Sequence, residues 1–161
     1  MIGDPLELER KLVEMAMRGA DVPVAPVAVW GAVASRYLAV GTPRSFAIVG
    51  DGGESLAAHR TWFEPKDVRC TDAAVAEVIG GRLVGLDEAL AADIVCVHEP
   101  IRIGAGQLRR GTHVNALAAV EVAREVVAQV SDVHALARMA AGLLDGRQLD
   151  EITIFVASAL H

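Results

Sequence analysis

The stretch from Ser45 to Thr61, SFAIVGDGGESLAAHRT, constrains the fold more than any other part of the chain. Phe46, Ala47, Ile48 and Val49 form an unbroken apolar run of the length expected for a strand buried on both faces. Gly50, Gly52 and Gly53 follow at once, and Leu56, Ala57 and Ala58 then open a helical pattern. Strand, glycine turn and helix in this order make the turn of a parallel α/β sheet that can set a dinucleotide pyrophosphate against a helix N-terminus. Gly50 permits the tight turn, and Gly52 lets the backbone approach phosphates with no Cβ between. The third position of the fingerprint, usually Gly or Ala, is Ser55, which is still small enough for close helix–strand packing. Asp51 and Glu54 work the other way, since two carboxylates beside a pyrophosphate repel it unless they point outward.

A glycine turn alone is weak evidence, so the second half of the signature matters. Val68, Arg69 and Cys70 read as a second strand, and Asp72 stands 22 residues after Gly50. An acid about 20 residues on is the group that holds adenosine ribose hydroxyls. The plainer role for Asp72 is to cap the helix that begins at Ala73. A carboxylate there favours NAD(H) over NADP(H), because it repels a 2′-phosphate, and Arg69 on the preceding strand does not offset it. Asp93 to Val97, DIVCV, reads as a fourth strand, so Val97 and the adjoining His98-Glu99 pair fall at a carboxyl end, where α/β sheets bind ligands. His98 and Glu99 are thus candidates for a nicotinamide contact or an acid/base pair, or they are exposed loop residues. The expected cofactor-binding set is Gly50, Gly52, Gly53, Ser55, Asp72, Val97 and His98.

The rest of the pattern frames this core. Asp4 caps a first helix with Pro5 in its first turn, Glu7 in a capping-box position, and a stripe of Leu8, Leu12, Met15 and Ala16. The span 22–27 carries two prolines and reads as an extended connector, and Pro26 opens a second helix through Trp30 and Leu38. Short helices are expected at Ala73–Ile79 and Leu86–Ala91, with a brief strand at Arg82–Val84 between them. His98 to Gly106 reads as loop and Thr112–Leu117 as a fifth strand. Glu121–Ala128 reads as at least partly helical, although Val126–Val130 fits a strand equally well. A helix over Val133–Leu144, closed near Gly146, and a last strand over Glu151–Val156 complete the chain. Strands alternating with helices predict a doubly wound parallel Rossmann-like sheet with helices on both faces, preceded by two N-terminal helices.

The 161 residues suffice for one such domain, with 1–41 as the N-terminal helices and 45–157 as the nucleotide-binding core. With 53% hydrophobic residues but only 4% aromatic ones, the core is aliphatic. That richness predicts burial of some apolar surface against a second copy or a partner subunit through the N-terminal helices. A net charge of −6 argues against nucleic acid, and no run reaches the ~18 apolar residues of a membrane span. Without a signal-peptide pattern, a cytoplasmic location is expected, with Cys70 and Cys96 as buried reduced thiols. The five histidines show no metal-ligand spacing, and no nucleophile motif is present.

Five segments in register resemble the ornithine cyclodeaminase/mu-crystallin/alanine dehydrogenase family. GAVASRYLAV (Gly31–Val40) is similar to the helix before its first Rossmann strand, IVGDGGES to its glycine loop, and ADIVCV to its fourth strand. RRGTHVNAL (Arg109–Leu117) resembles its Gly-Thr-His motif leading to a buried Asn and Ala, and DEITIF (Asp150–Phe155) its C-terminal Asp-Glu-Ile-Thr-Val-Phe block. The resemblance runs from about Trp30 to Ala159 and implies NAD(P) as cofactor. It also implies a second domain, carrying substrate-binding Arg and Lys residues and the dimer interface, for which no counterpart is expected within these 161 residues. In cyclodeaminases a catalytic Asp follows the Asn-Ala motif in a Gly-Asp-x-Pro-Gly-Lys segment. Here Val120 falls at that place, the Pro and Gly are gone, and a valine transfers no proton. Three functions are therefore in play: an NAD(H)-binding domain without catalysis of its own, a subunit of a split amino- or imino-acid enzyme, and a scaffold that has lost its nucleotide.

Overall fold

The structure, a computed structural model, describes residues 4–19, 26–145 and 151–157. In order, the elements are α1 (Pro5–Arg18), α2 (Val27–Leu38), β1 (Ser45–Val49), α3 (Glu54–His59), β2 (Asp67–Cys70), α4 (Ala73–Ile79), β3 (Arg82–Leu83) and α5 (Leu86–Leu90). They continue with β4 (Ile94–Val97), β5 (Ile101–Ile103), β6 (His113–Ala116), β7 (Val120–Val122), β8 (Ala128–Ser131), α6 (Val133–Ala140) and β9 (Ile152–Val156).

Seven strands form one sheet in the order β3-β2-β1-β4-β6-β9-β8. Every pairing in it is parallel. β1 lies between β2 and β4, so the chain winds outward through β2 and β3 and then crosses back to the other side of β1. The carboxyl ends of β1 and β4 therefore part at the topological switch, where this class of sheet holds its ligands. The central strands β1, β4 and β6 are buried on both faces. Phe46, Ile48, Ile94 and Cys96 pack beneath α3 and α4, while Ala47, Val49, Val95, Val97 and Val114 pack on the opposite side with α5. α1, α2 and α6 form a further aliphatic cluster around Trp30, Leu12, Leu136 and Phe155.

The apolar stripe of α1 is spent inside the chain, with Leu8, Leu12 and Met15 buried against α2 and α6. Asp4 caps α1 by accepting from the Leu6 N–H at 3.0 Å, and Gly19 ends it in the left-handed region at φ +69°. Glu7 pairs with Lys11 one turn on at 3.5 Å.

Three expectations need correction. The loop His98–Gly106 contains β5, which pairs in parallel with β7. The helix expected over Glu121–Ala128 is absent: residues 120–122 are that strand, and Ala128–Ser131 is an edge strand on β9, in keeping with the strand alternative for Val126–Val130. Strands of three and four residues are too short for their own periodicity to speak, and the distant partner decides them. Finally, α6 stops at Ala140. The Leu143 N–H reaches back to the Arg138 carbonyl at 2.8 Å and Gly142 takes φ +76°, a left-handed closure that cuts off the helical pattern. Gly146, Asp150 and residues 22–25 of the expected connector lie outside the described residues.

Candidate functional site: a covered glycine loop at the switch point

Three loops meet at the carboxyl end of β1. Gly50 turns the chain at φ +90°, which a side chain would resist, and its N–H donates to the Thr71 hydroxyl at 3.0 Å. The His98 N–H donates to the Val49 carbonyl at 2.8 Å, and the Thr71 N–H to the Ile48 carbonyl at 3.2 Å. The ends of β2 and β4 are thereby tied to the glycine turn. Beyond it, Ser55 and Leu56 donate their N–H groups to the Gly52 and Gly53 carbonyls at 3.0 and 3.2 Å, starting the six-residue α3. The expected strand–turn–helix is thus present residue for residue.

What covers the turn is not legible in a motif. A Cβ built on Gly52 would stand 2.1 Å from His98 Cδ2 and 2.2 Å from Cγ, so the imidazole ring lies directly on the Gly52 backbone. One on Gly50 would stand 3.0 Å from Glu99 Cγ. The two glycines do serve a close approach, but the group approaching is the protein's own β4 loop. The Ser55 hydroxyl holds the ring in place through His98 Nε2 at 2.6 Å. Burial lowers the His98 pKa below the ordinary imidazole value, against the opposing pull of Glu54 and Asp51. His98 is therefore no free loop residue, whereas Glu99, Asp51 and Glu54 are exposed. Val97 presents no surface at all: it is fully buried, and its carbonyl accepts from the Leu117 N–H at 3.0 Å. Its part is to place His98.

Asp72 lies at the β2 end of the same crevice. Its side chain accepts from the Val75 N–H at 3.0 Å, so it does cap α4. It also borders a cavity of about 230 Å³, together with Asp51, Gly53, Ala74, Val75, Val78 and Ile79. Small-molecule sites start near 300 Å³, so this hollow suits one half of a dinucleotide better than the whole. Arg69 is committed elsewhere: it pairs with Asp67 at 2.9 Å and donates to the Glu88 carbonyl at 2.7 Å. It is not turned to serve a 2′-phosphate beside Asp72.

Behind the loop runs a buried polar chain that sequence reasoning missed apart from its His113–Asn115 end. His59 Nδ1 lies 2.7 Å from the Ser55 carbonyl, which only accepts, so Nδ1 carries the proton. Nε2 then accepts from the Ser35 hydroxyl at 2.7 Å, and Ser35 Oγ accepts from Asn115 Nδ2 at 2.9 Å. Asn115 Oδ1 accepts from His113 Nε2 at 2.7 Å, and His113 Nδ1 accepts from the Thr153 hydroxyl at 2.8 Å. Turning the Asn115 carboxamide over would face its oxygen to the Ser35 lone pairs, unless His59 carried a second proton. Burial forbids that, pushing the His59 pKa down to about 3 and that of His113 to about 4. The chain joins α2, α3, β6 and β9 with every member neutral. Its signal in the sequence is faint: Ser35 inside an Ala/Val helix, His59 four residues after Ser55, and His113 and Asn115 on one face of an apolar strand.

A larger cavity of about 780 Å³ opens at the carboxyl ends of β6 and β9, walled mainly by small and apolar side chains, among them Ala118, Ala119, Val120 and Val156. Val120, the position where the sequence resemblance puts a catalytic Asp, starts β7 on its rim, beside the Arg102 and Glu121 cross-strand pair. No helix among the described residues is long and apolar enough to cross a membrane.

No protein-family model matches the chain, and no curated protein sequence does. Solved structures do match in fold. An archaeal alanine dehydrogenase dimer with bound NAD aligns at a TM-score of 0.70 and 22% identity, over 83% of this chain and 58% of that one. Δ1-pyrroline-2-carboxylate reductase of Thermococcus litoralis, solved with NADH and L-proline, gives 0.65 and 20%, over 81% and 57%. A lysine cyclodeaminase gives 0.59 and 18%, over 82% and 53%. The chain thus spans less than two thirds of these proteins, which are members of the family its motifs resemble, and it shares their Rossmann-like fold.

Proposed function

We propose that this chain is a nicotinamide-dinucleotide-binding domain, taking NAD(H) in preference to NADP(H), without a catalytic group of its own. The observation that carries the reading is the Gly50 turn at the β1/β4 switch, tied to Thr71, with Asp72 bordering an open hollow beside it. The adenosine half fits there, with the Asp72 carboxylate toward the ribose hydroxyls and Val75, Val78 and Ile79 against the base. Asp72 also disfavours a 2′-phosphate, and Arg69 is held by Asp67. The diphosphate belongs on Gly50 and Gly52, where His98 and Glu99 now lie, so its entry requires those side chains to move. The solved neighbours that carry NAD or NADH support the choice of ligand. Val120 supplies no proton, so turnover of an amino or imino acid would depend on groups outside the described residues, from a second copy or a partner subunit.

Titration calorimetry with NADH and with NADPH tests this reading. Saturable binding of NADH, tighter than NADPH, is expected, and no binding of either up to millimolar concentration would refute it. A second reading, a scaffold that no longer takes nucleotide, is favoured by the occupied glycine surfaces and by Asp51 at the rim. The same titration separates the two.

A further inference from the structure

We propose that His98 is a gating residue of the glycine loop: dinucleotide binds by displacing its imidazole from Gly52. This deepens the dinucleotide reading and rests on it. The glycine at position 52 leaves a space over the backbone that no other residue type would, and that is where a diphosphate is received. In this chain the space holds an imidazole ring, close enough that a methyl group in its place would overlap it at 2.1 Å. Ring and diphosphate exclude each other sterically.

Three observations fix the ring there. The His98 backbone is pinned to the Val49 carbonyl at 2.8 Å, so the ring, not the strand, must move. Ser55 Oγ holds Nε2 at 2.6 Å. Ser55 itself is fully buried and anchored inward, since its carbonyl accepts from His59 at 2.7 Å. Displacement breaks the Ser55–His98 bond and exposes the ring. It also frees the Ser55 hydroxyl to meet the incoming phosphate. Apparent affinity is the intrinsic affinity scaled by the fraction of molecules with the ring out. The net worth of one hydrogen bond alone makes that fraction about one in five or lower.

Removing the imidazole should therefore tighten binding, although a histidine that contacted the cofactor would do the reverse. The test titrates NADH into the wild type and into His98→Ala and His98→Ser, two variants so that one misfolded protein does not decide the matter. Each is checked by circular dichroism and melting. Tightening by about fivefold or more in the variants is the expected result. Binding in the variants with none in the wild type would show that the ring blocks the site outright and is not displaced by dinucleotide, and would overturn both the gate and the dinucleotide reading of the native chain. Equal or weaker binding in the variants, with a wild type that binds, would overturn the gate and leave the dinucleotide reading standing. No binding by any of the three would overturn both. A ligand-free arm checks the contact itself: Gly52→Ala should lower the melting temperature by several degrees in the wild type and by much less in the His98→Ala background. An equal loss in both backgrounds would show that the ring does not lie on Gly52, and would overturn the gate.

Discussion

Acidification should unfold this protein at a milder pH than its carboxylates would dictate. His59 and His113 are fully buried, and their pKa values in the folded chain are about 3 and about 4. Desolvation is the main cause for each, partly offset by the Ser55 carbonyl at His59 and by Asn115 at His113. In the unfolded chain both titrate near 6.5. The unfolded state therefore binds more protons below that value, and stability falls as pH falls. The contribution is intact above pH ~6.5 and drains away between there and the folded values. Each histidine costs about 1.4 kcal/mol per pH unit in that window. Between pH 7.5 and 5.5 the pair removes about 3 kcal/mol, and by pH 4.5 about 5 kcal/mol. A domain of this size holds only ~5–15 kcal/mol in total. His98, shifted the same way by burial, adds to the loss. Burial pulls the Asp93 carboxyl upward, but the Ser45 and Arg44 N–H groups and Arg109 outweigh it. Its pKa therefore lies below the ordinary carboxylate value, and its contribution is lost only at lower pH. Urea unfolding followed by circular dichroism at pH 7.5, 6.5 and 5.5 measures the effect, with a proton uptake on unfolding of about one per chain averaged over this range, rising toward two near pH 5.5. A stability that changes by under ~1 kcal/mol over this range would refute the neutral buried pair. So would native-state NMR signals of either ring titrating above pH 5.

Other outcomes follow from single contacts. Asp72→Ser keeps a cap for the Val75 N–H but withdraws the carboxylate, so melting should barely change while NADH binding weakens by about 1–3 kcal/mol; unchanged affinity in calorimetry would leave Asp72 as a cap alone. Asn115→Leu orphans the His113 Nε2–H and an acceptor on Ser35 at once, and should cost about 2–5 kcal/mol in urea unfolding, where a loss under ~1 kcal/mol would contradict the network. Cys70 and Cys96 are buried, and burial pushes the Cys96 thiol up to about 12 despite hydrogen bonds from Asn115 and Ser55. Neither should react with a thiol reagent such as DTNB at pH 8 until the chain unfolds, and labelling of the folded protein at the free-thiol rate would count against the packing.

The parallel core was legible because its strands speak for themselves. Phe46–Val49 and Ile94–Val97 are apolar throughout, and only burial on both sheet faces accommodates such runs. Gly50, Asp72 and Ala73 were legible because turn and cap chemistry is local. β5 and β7 were not, because each exists only through the other, some twenty residues away in the chain. The candidate site divides in the same way. Backbone demands mark Gly50 and Gly52, but what Gly52 makes room for depends on where the β4 loop falls. That loop is placed by a backbone bond to Val49 and a side-chain bond to Ser55, neither of which leaves a pattern in sequence. Ser55 looked like a mere departure from the fingerprint. In the structure it is the residue joining the glycine loop to His98 on one side and to the buried histidine chain on the other.

The carboxylates around the turn give the loop an unusual electrostatic character with a measurable sign. Asp51 and Glu54 act on His98, which lies on Gly52, and Glu99 lies on Gly50. All three are exposed. A diphosphate on these glycines would bring two negative charges among them. In water each pair of unit charges about 8 Å apart costs about 0.5 kcal/mol, so the sum is on the order of 1–3 kcal/mol at low salt. The Debye length shrinks from ~30 Å at 10 mM to ~8 Å at 150 mM ionic strength, which removes much of that repulsion while leaving the contacts of the adenosine half in place. A cationic phosphate cradle would behave in the opposite sense, because its attraction is screened. NADH binding should therefore tighten severalfold as sodium chloride rises from 10 to ~150 mM, and Glu54→Gln should flatten the dependence. Affinity that falls with salt would mean that the diphosphate meets net positive charge, and the placement of these carboxylates around it would have to be abandoned.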